Sequence, residues 1–216
     1  PNPPAQEAAE QQARELADAA LSLHPGALDA VYQASLRAYP TLLLIRQVLR
    51  PALERLHRLQ AQEPLAAHAR SLLRTYLFSQ VGHHLWQQSL RNRGVRILLG
   101  ALPGNEHDVE TVLLGLYLVD RGFRLLWLPE AAPLRYLGES ASASQSAAIV
   151  LYAGTTPGQR LLTQEIPALI ASSSVPVMAV GAAVAQQAGA FRMAGAEPLP
   201  LDEEAMVHQL QEKVGA

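Results

Sequence analysis

Between Ala5 and Asn92 the apolar residues recur at spacings of three and four. Leu16, Ala20 and Leu23 form one such stripe, and Leu42, Ile45, Leu49 and Leu53 form another. That spacing puts side chains on one face of an α-helix and predicts helix through this whole half. The pattern breaks at HPGAL (24–28), YPTLL (39–43) and QEPLAA (62–67), each with a proline where a first helical turn accepts one. Four helices are therefore expected, over 5–23, 26–38, 41–60 and 64–91. Pro51 falls inside the third, where its ring removes an amide donor and meets the preceding turn, so a kink is expected there. Amphipathic helices joined by short turns pack as a small bundle.

After RNRG (91–94) the rhythm changes to short, strongly apolar runs alternating with helical ones. In order these are VRILLGA, DVETVLLGLYLVDRG, FRLLWL, AAIVLYAG, PGQRLLTQEIPALIASS and VPVMAVG, then EPLPLD as a short last strand and EEAMVHQLQEKV as a closing helix. Runs that are apolar at nearly every position mark strands buried on both faces, and the alternation with helices predicts a five-stranded parallel sheet. The chain thus reads as a helical domain over 1–92 and an α/β domain over 93–216. Ligands of open parallel sheets bind outside the carboxyl ends of the strands, where strand order reverses. The loops expected at that end are PGNEHD (103–108), YAGTTPG (152–158) and VGAAV (180–184).

Composition narrows the chemistry. At 216 residues, 49% of them hydrophobic, the chain can build one large core or two small ones. A formal charge of −2 supplies no overall basic field, so nucleic acid would have to be gripped by another segment. The absence of cysteine removes disulfides, thiolate nucleophiles and every Cys-based metal site, which leaves His and carboxylates as metal ligands. No apolar run reaches the roughly 18 residues of a membrane span, and no signal pattern opens the chain, so a cytoplasmic protein is expected. The opening PNPPAQEAAEQQ reads as an interdomain linker, and a further domain is expected before it. No G-x-S-x-G, P-loop or G-x-G-x-x-G motif occurs, and no carboxylate pair stands out as catalytic, so an enzyme is not expected. His83 and His84 are adjacent, point about 100° apart on a helix, and read as surface or interface residues rather than a metal pair.

A helical bundle followed by an α/β domain with a histidine in the first strand–helix loop resembles the cobalamin-binding module. That family carries D-x-H-x-x-G in this loop, Ser-x-Leu after the third strand and Gly-Gly after the fourth. Here NEHDVE keeps His107 and places Asn105 and Glu110 at the Asp and Gly positions; Tyr152, Ala153 and Gly154 stand at Ser-x-Leu, and Gly181 and Ala182 at Gly-Gly. The bundle is similar to the version fused to MerR-type DNA-binding domains in light- and cobalamin-dependent regulators, whose Trp and Glu-His signature falls on His57, Ala67 and His68.

The resemblance implies a four-helix bundle followed by a Rossmann-like (flavodoxin-like) α/β domain with cobalamin between them. His107 would be the lower axial cobalt ligand and so the metal-binding residue. Asn105, Glu106, Tyr152, Gly154, Thr155, Gly181 and Ala182 would surround the cofactor from the α/β side, with His57 and His68 toward its upper face. Asn105 can orient the imidazole but supplies no charge. A tyrosine at 152 either fills part of the tail tunnel or aims its phenol at another acceptor, and Ala182 adds a methyl where the tail passes.

The function so implied is the sensory domain of a MerR-like regulator, with cobalamin controlling oligomerisation and, through a preceding domain, DNA binding. Two alternatives stay open: a corrinoid carrier for a methyltransferase, and a module that has lost the cofactor and serves protein–protein interaction. A homo-oligomer with a small-molecule ligand and no membrane partner is expected.

Overall fold

The computed structural model describes residues 3–129 and 133–215 and divides between Gln80 and Val81 into two compact units. Of the opening PNPPAQEAAEQQ read as a linker, Pro1 and Asn2 lie outside the described residues, and from Pro3 onward it is the first helix instead.

The first unit is helical. Its helices are α1 (Pro3–Leu21), α2 (Pro25–Ala38), α3 (41–59) and the first part of α4 (Pro64–Arg91). These match the four runs expected from the apolar spacing. Leu16 and Ala20 of α1, Leu28 and Tyr32 of α2, Ile45, Leu49 and Leu53 of α3, and Leu73 and Leu77 of α4 are buried. The α1–α2 turn puts Leu23 in the left-handed region at φ 51°, after which the His24 imidazole caps α2 by accepting the Ala27 N–H. A polar clamp joins α2 to α4: the Tyr76 hydroxyl donates to Asp29 at 2.5 Å, and the Tyr32 and Tyr76 rings meet edge to face at 5.3 Å.

A widened turn precedes Pro51, where a kink is expected from the sequence. Residues Leu44–Leu49 are π-helical, and the Arg50 N–H bonds the Ile45 carbonyl five residues back. The same device recurs in the second unit, where Leu161–Glu165 are π-helical and Ile166 bonds Leu161 immediately before Pro167. A π turn is a local departure from α geometry with an identifiable cause, here a proline directly after it in both helices.

The second unit holds strands β1 (Arg96–Ala101), β2 (Arg124–Leu128), β3 (Ala148–Tyr152), β4 (Val177–Val180) and β5 (Glu197–Pro198). They pair in parallel in the order β2-β1-β3-β4-β5, the expected five-stranded sheet. Its helices are α5 (Val109–Asp120), α6 (Leu137–Ser144), α7 (159–172), α8 (Ala182–Gln186), α9 (Ala188–Met193) and α10 (Glu203–Val214). Leu98, Ile149, Leu151 and Ala179 of the sheet share a core with Leu137 of α6, Leu169 of α7 and Phe191 of α9. Because successive strand residues alternate, Leu99, Val150 and Tyr152 point to the opposite face, where α5 packs on β1 and β2.

The last turns of α4 belong to this unit. Leu85 is buried so close to α5 that a Cβ on Gly115 would lie 2.8 Å from its methyl. Ser89 accepts the Leu125 N–H at 3.0 Å, which covers a donor on the outer edge of the sheet, and Asn92 donates to the carbonyls of Val119 and Phe123.

Candidate functional site

In this strand order the chain leaves β1 toward β2 and leaves β3 toward β4, so the connections diverge between β1 and β3. A crevice at the carboxyl ends of those two strands is where a ligand of such a sheet binds. The loops 102–108 and 153–158 flank it, and Asn105, Glu106, His107, Gly154 and Thr155 lie on them.

Asn105 is 3% exposed and ties the two loops together. Its Oδ1 accepts the N–H groups of Gly154 and Thr155, each at 2.8 Å, and the Thr155 hydroxyl at 3.1 Å. Its Nδ2 donates to the Leu102 carbonyl at 3.2 Å. The amide thus satisfies two loop N–H groups that would otherwise be costly to bury. An orienting role toward His107 was expected of Asn105; these hydrogen bonds give it a bridging role across the crevice.

The neighbouring residues shape the same loop. The Glu106 carboxylate accepts the Gly104 N–H at 2.9 and 3.0 Å. His107 has φ 60°, a left-handed conformation uncommon for a residue with a side chain, and it is exposed. Asp108 then starts α5: one carboxylate oxygen accepts the Glu110 N–H at 3.1 Å, and the other accepts the Tyr152 hydroxyl at 3.1 Å. The phenol of Tyr152 therefore has the different acceptor that its size suggested. A Cβ on Gly154 would lie 2.6 Å from that hydroxyl and 2.8 Å from Asp108 Oδ2, so only glycine leaves the pair room.

Gly181 joins the loops after β3 and β4. With φ 129° and its would-be Cβ 2.3 Å from the Ala153 carbonyl, it cannot carry a side chain without moving the backbone. Ala183 donates to the same carbonyl at 3.1 Å, and Ala182 between them is exposed at the start of α8. The structure brings Asn105, Glu106, His107, Tyr152, Gly154 and Thr155 together at the crevice. His57, in the last turn of α3, and His68, near the start of α4, are exposed residues of the helical unit.

Asp108 is the residue that pattern reading passed over. The signal was present, since an Asp just before an amphipathic run is a helix cap. His83 and His84 are exposed, and the His84 imidazole is held below its usual value by partial desolvation, opposed by the charge of Asp120. No group of three or more His, Cys, Asp or Glu side chains that could hold a metal occurs among the described residues. A single imidazole ligand can serve only a metal whose remaining positions come from elsewhere, which is what a macrocycle provides.

No family model matches the chain, and no curated protein matches it. Among solved structures, the monomethylamine corrinoid protein of Methanosarcina barkeri matches with a TM-score of 0.63 at 18% identity, over 91% of this chain and 96% of that one. The two chains share a fold. Two further structures overlay at lower scores. A cobalamin-binding protein from Desulfitobacterium hafniense has a TM-score of 0.45 at 13% identity, over 91% of this chain and 96% of that one. The methanol:cobalamin methyltransferase complex of Methanosarcina barkeri has 0.48 at 14%, over 95% and 81%.

Within a corrinoid-protein fold the residues divide in two. The donor chemistry at His107 fits cobalt, because it is an exposed imidazole at the strand ends. The loops around it are tied together by this chain's own side chains, Asn105 to Gly154 and Tyr152 to Asp108.

Proposed function

We propose that this chain binds a corrinoid and carries it for a partner methyl-transfer enzyme, with His107 as the lower ligand of cobalt. The supporting observation is the exposed His107 imidazole, set by a left-handed backbone at the reversal point of the sheet in a corrinoid-protein fold. When bound, the corrinoid would supply a cobalt centre that accepts and releases a one-carbon group. The chain's part is to hold and orient. Asn105 and the Glu106–Gly104 contact brace the loop ahead of the histidine, and Asp108 after it caps α5. That bracing holds the loop backbone that carries the imidazole. The transfer chemistry itself is assigned to the partner, so the chain alone is not an enzyme.

The carrier reading is favoured over the sensory domain of a MerR-like regulator by the likeness to a monomethylamine corrinoid protein through 96% of that protein's length. Among the described residues no helix is long and apolar enough to cross a bilayer.

The test is reconstitution. The protein is incubated with aquocobinamide and, separately, hydroxocobalamin, freed of excess and examined by visible absorbance. The carrier reading expects a coloured protein from at least one of them. It also expects His107→Asn, which tolerates the left-handed backbone, to shift the cobalt bands. A colourless wild-type protein from both incubations would refute corrinoid binding, and an unchanged spectrum in the variant would refute ligation by His107.

A further inference from the structure

Resting on the corrinoid reading, we infer that Tyr152 makes this chain selective for corrinoids that lack a bulky nucleotide tail, of which cobinamide is the simplest. A group reaching below the corrin ring would have to enter the crevice between β1 and β3. That crevice is bridged twice. Asn105 links the two loops through the N–H groups of Gly154 and Thr155, and Tyr152 links the end of β3 to the start of α5 through Asp108.

The tyrosine is a filled position rather than a loose gate. Its ring is 7% exposed and lies on the α5 side of the sheet. Gly154 beside it offers no spare volume, since even a methyl there would collide with the phenol oxygen at 2.6 Å. Admitting a benzimidazole nucleotide would pull the hydroxyl off Asp108 and displace a packed ring, and the displaced carboxylate would lose a donor. A tail-less corrinoid asks for none of this. Its lower cobalt face is also open to His107, whereas a tailed corrinoid brings its own base to that face and must lodge it elsewhere before the imidazole can bind. Selectivity of this kind comes from a built-in obstruction to the wrong ligand.

Equilibrium dialysis against aquocobinamide and hydroxocobalamin, read by visible absorbance, tests the inference without any enzyme assay. Wild-type protein is expected to hold cobinamide at least about tenfold more tightly, the difference a displaced aromatic side chain brings. Tyr152→Ser removes the ring and is expected to tighten hydroxocobalamin about tenfold while cobinamide changes much less. Tyr152→Phe keeps the ring and is expected to keep the preference. Equal affinities in the wild type would overturn the inference and leave the carrier reading standing, as would a serine variant no better at binding hydroxocobalamin. Should the serine variant fail to fold by circular dichroism, the wild-type ratio decides alone. Uptake of neither ligand overturns the corrinoid reading and this inference with it.

Discussion

One carboxamide holds the strand-end loops together. Asn105 Oδ1 takes three donors, two of them backbone N–H groups on a loop some fifty residues away in sequence. Truncation to alanine removes their acceptor at a part-buried site, and Asn105→Ala is expected to cost about 1–2 kcal/mol in urea denaturation. A loss below about 0.5 kcal/mol would mean the amides find other partners, and the bridge would not be structural. His107 was legible from its place between a strand pattern and a helix pattern. The work of Asn105 was not, because nothing local in NEHD reveals a partner on another loop. Tyr152 was legible only as a size conflict; its acceptor, Asp108, lies 44 positions away.

The helical unit carries a pH dependence of its own. Burial, and then the charge of Asp29, push the Tyr32 phenol up to about 12, and burial together with the hydrogen bond to Asp29 raises Tyr76 as well. In the unfolded chain both would ionise near the usual value of about 10. Since the folded state favours the neutral phenols, their contribution is complete below pH ~10 and is lost as pH rises from there through about 12. Urea midpoints measured from pH 8 upward are expected to fall above ~10, and the Tyr32→Phe/Tyr76→Phe protein to fall less steeply. Parallel curves for the two proteins would contradict this assignment.

Among the elements, the strands announced themselves because they are apolar on both faces, as β1, β3 and β4 all are. The helices 134–144 and 182–193 gave no such signal. In LGESASAS only Leu137, Gly138 and Ala141 are buried, so a helix covering the sheet needs few apolar residues when small ones suffice. The segment 182–193 is two short helices of five and six residues, too short to show a period. The long helix α4 is continuous in pattern, yet its end is bound to the sheet unit by Leu85 against Gly115, by Ser89 on Leu125 and by Asn92 on two carbonyls. A fragment beginning at Val81 is therefore expected to unfold cooperatively in urea. One beginning at Arg93 loses a buried leucine and these hydrogen bonds, and is expected to be less stable by about 3 kcal/mol or more. Equal stabilities would detach this part of α4 from the sheet unit.

At the scale of the whole molecule, 18% identity accompanies a shared fold over 91% of the chain. Apolar periodicity and burial tolerate extensive substitution when volume and pattern are kept, so the architecture persists while the loops at the strand ends change. The fold class could be read from the sequence for that reason. The contents of the crevice could not, since they depend on pairs of residues brought together only by the sheet.

The two π turns have a consequence for chain length. An α-helix that takes in one extra residue must skip one bond of its ladder, and the skipped donor is normally left exposed or unpaid. At 44–50 and again at 161–166 the shift is followed directly by Pro51 and Pro167, residues with no N–H to leave unpaired. Each unit therefore contains one helix in which a residue can be inserted or deleted ahead of the proline with both helix ends kept in place. These are the positions where homologous chains of this fold can differ in length inside a helix rather than in a loop.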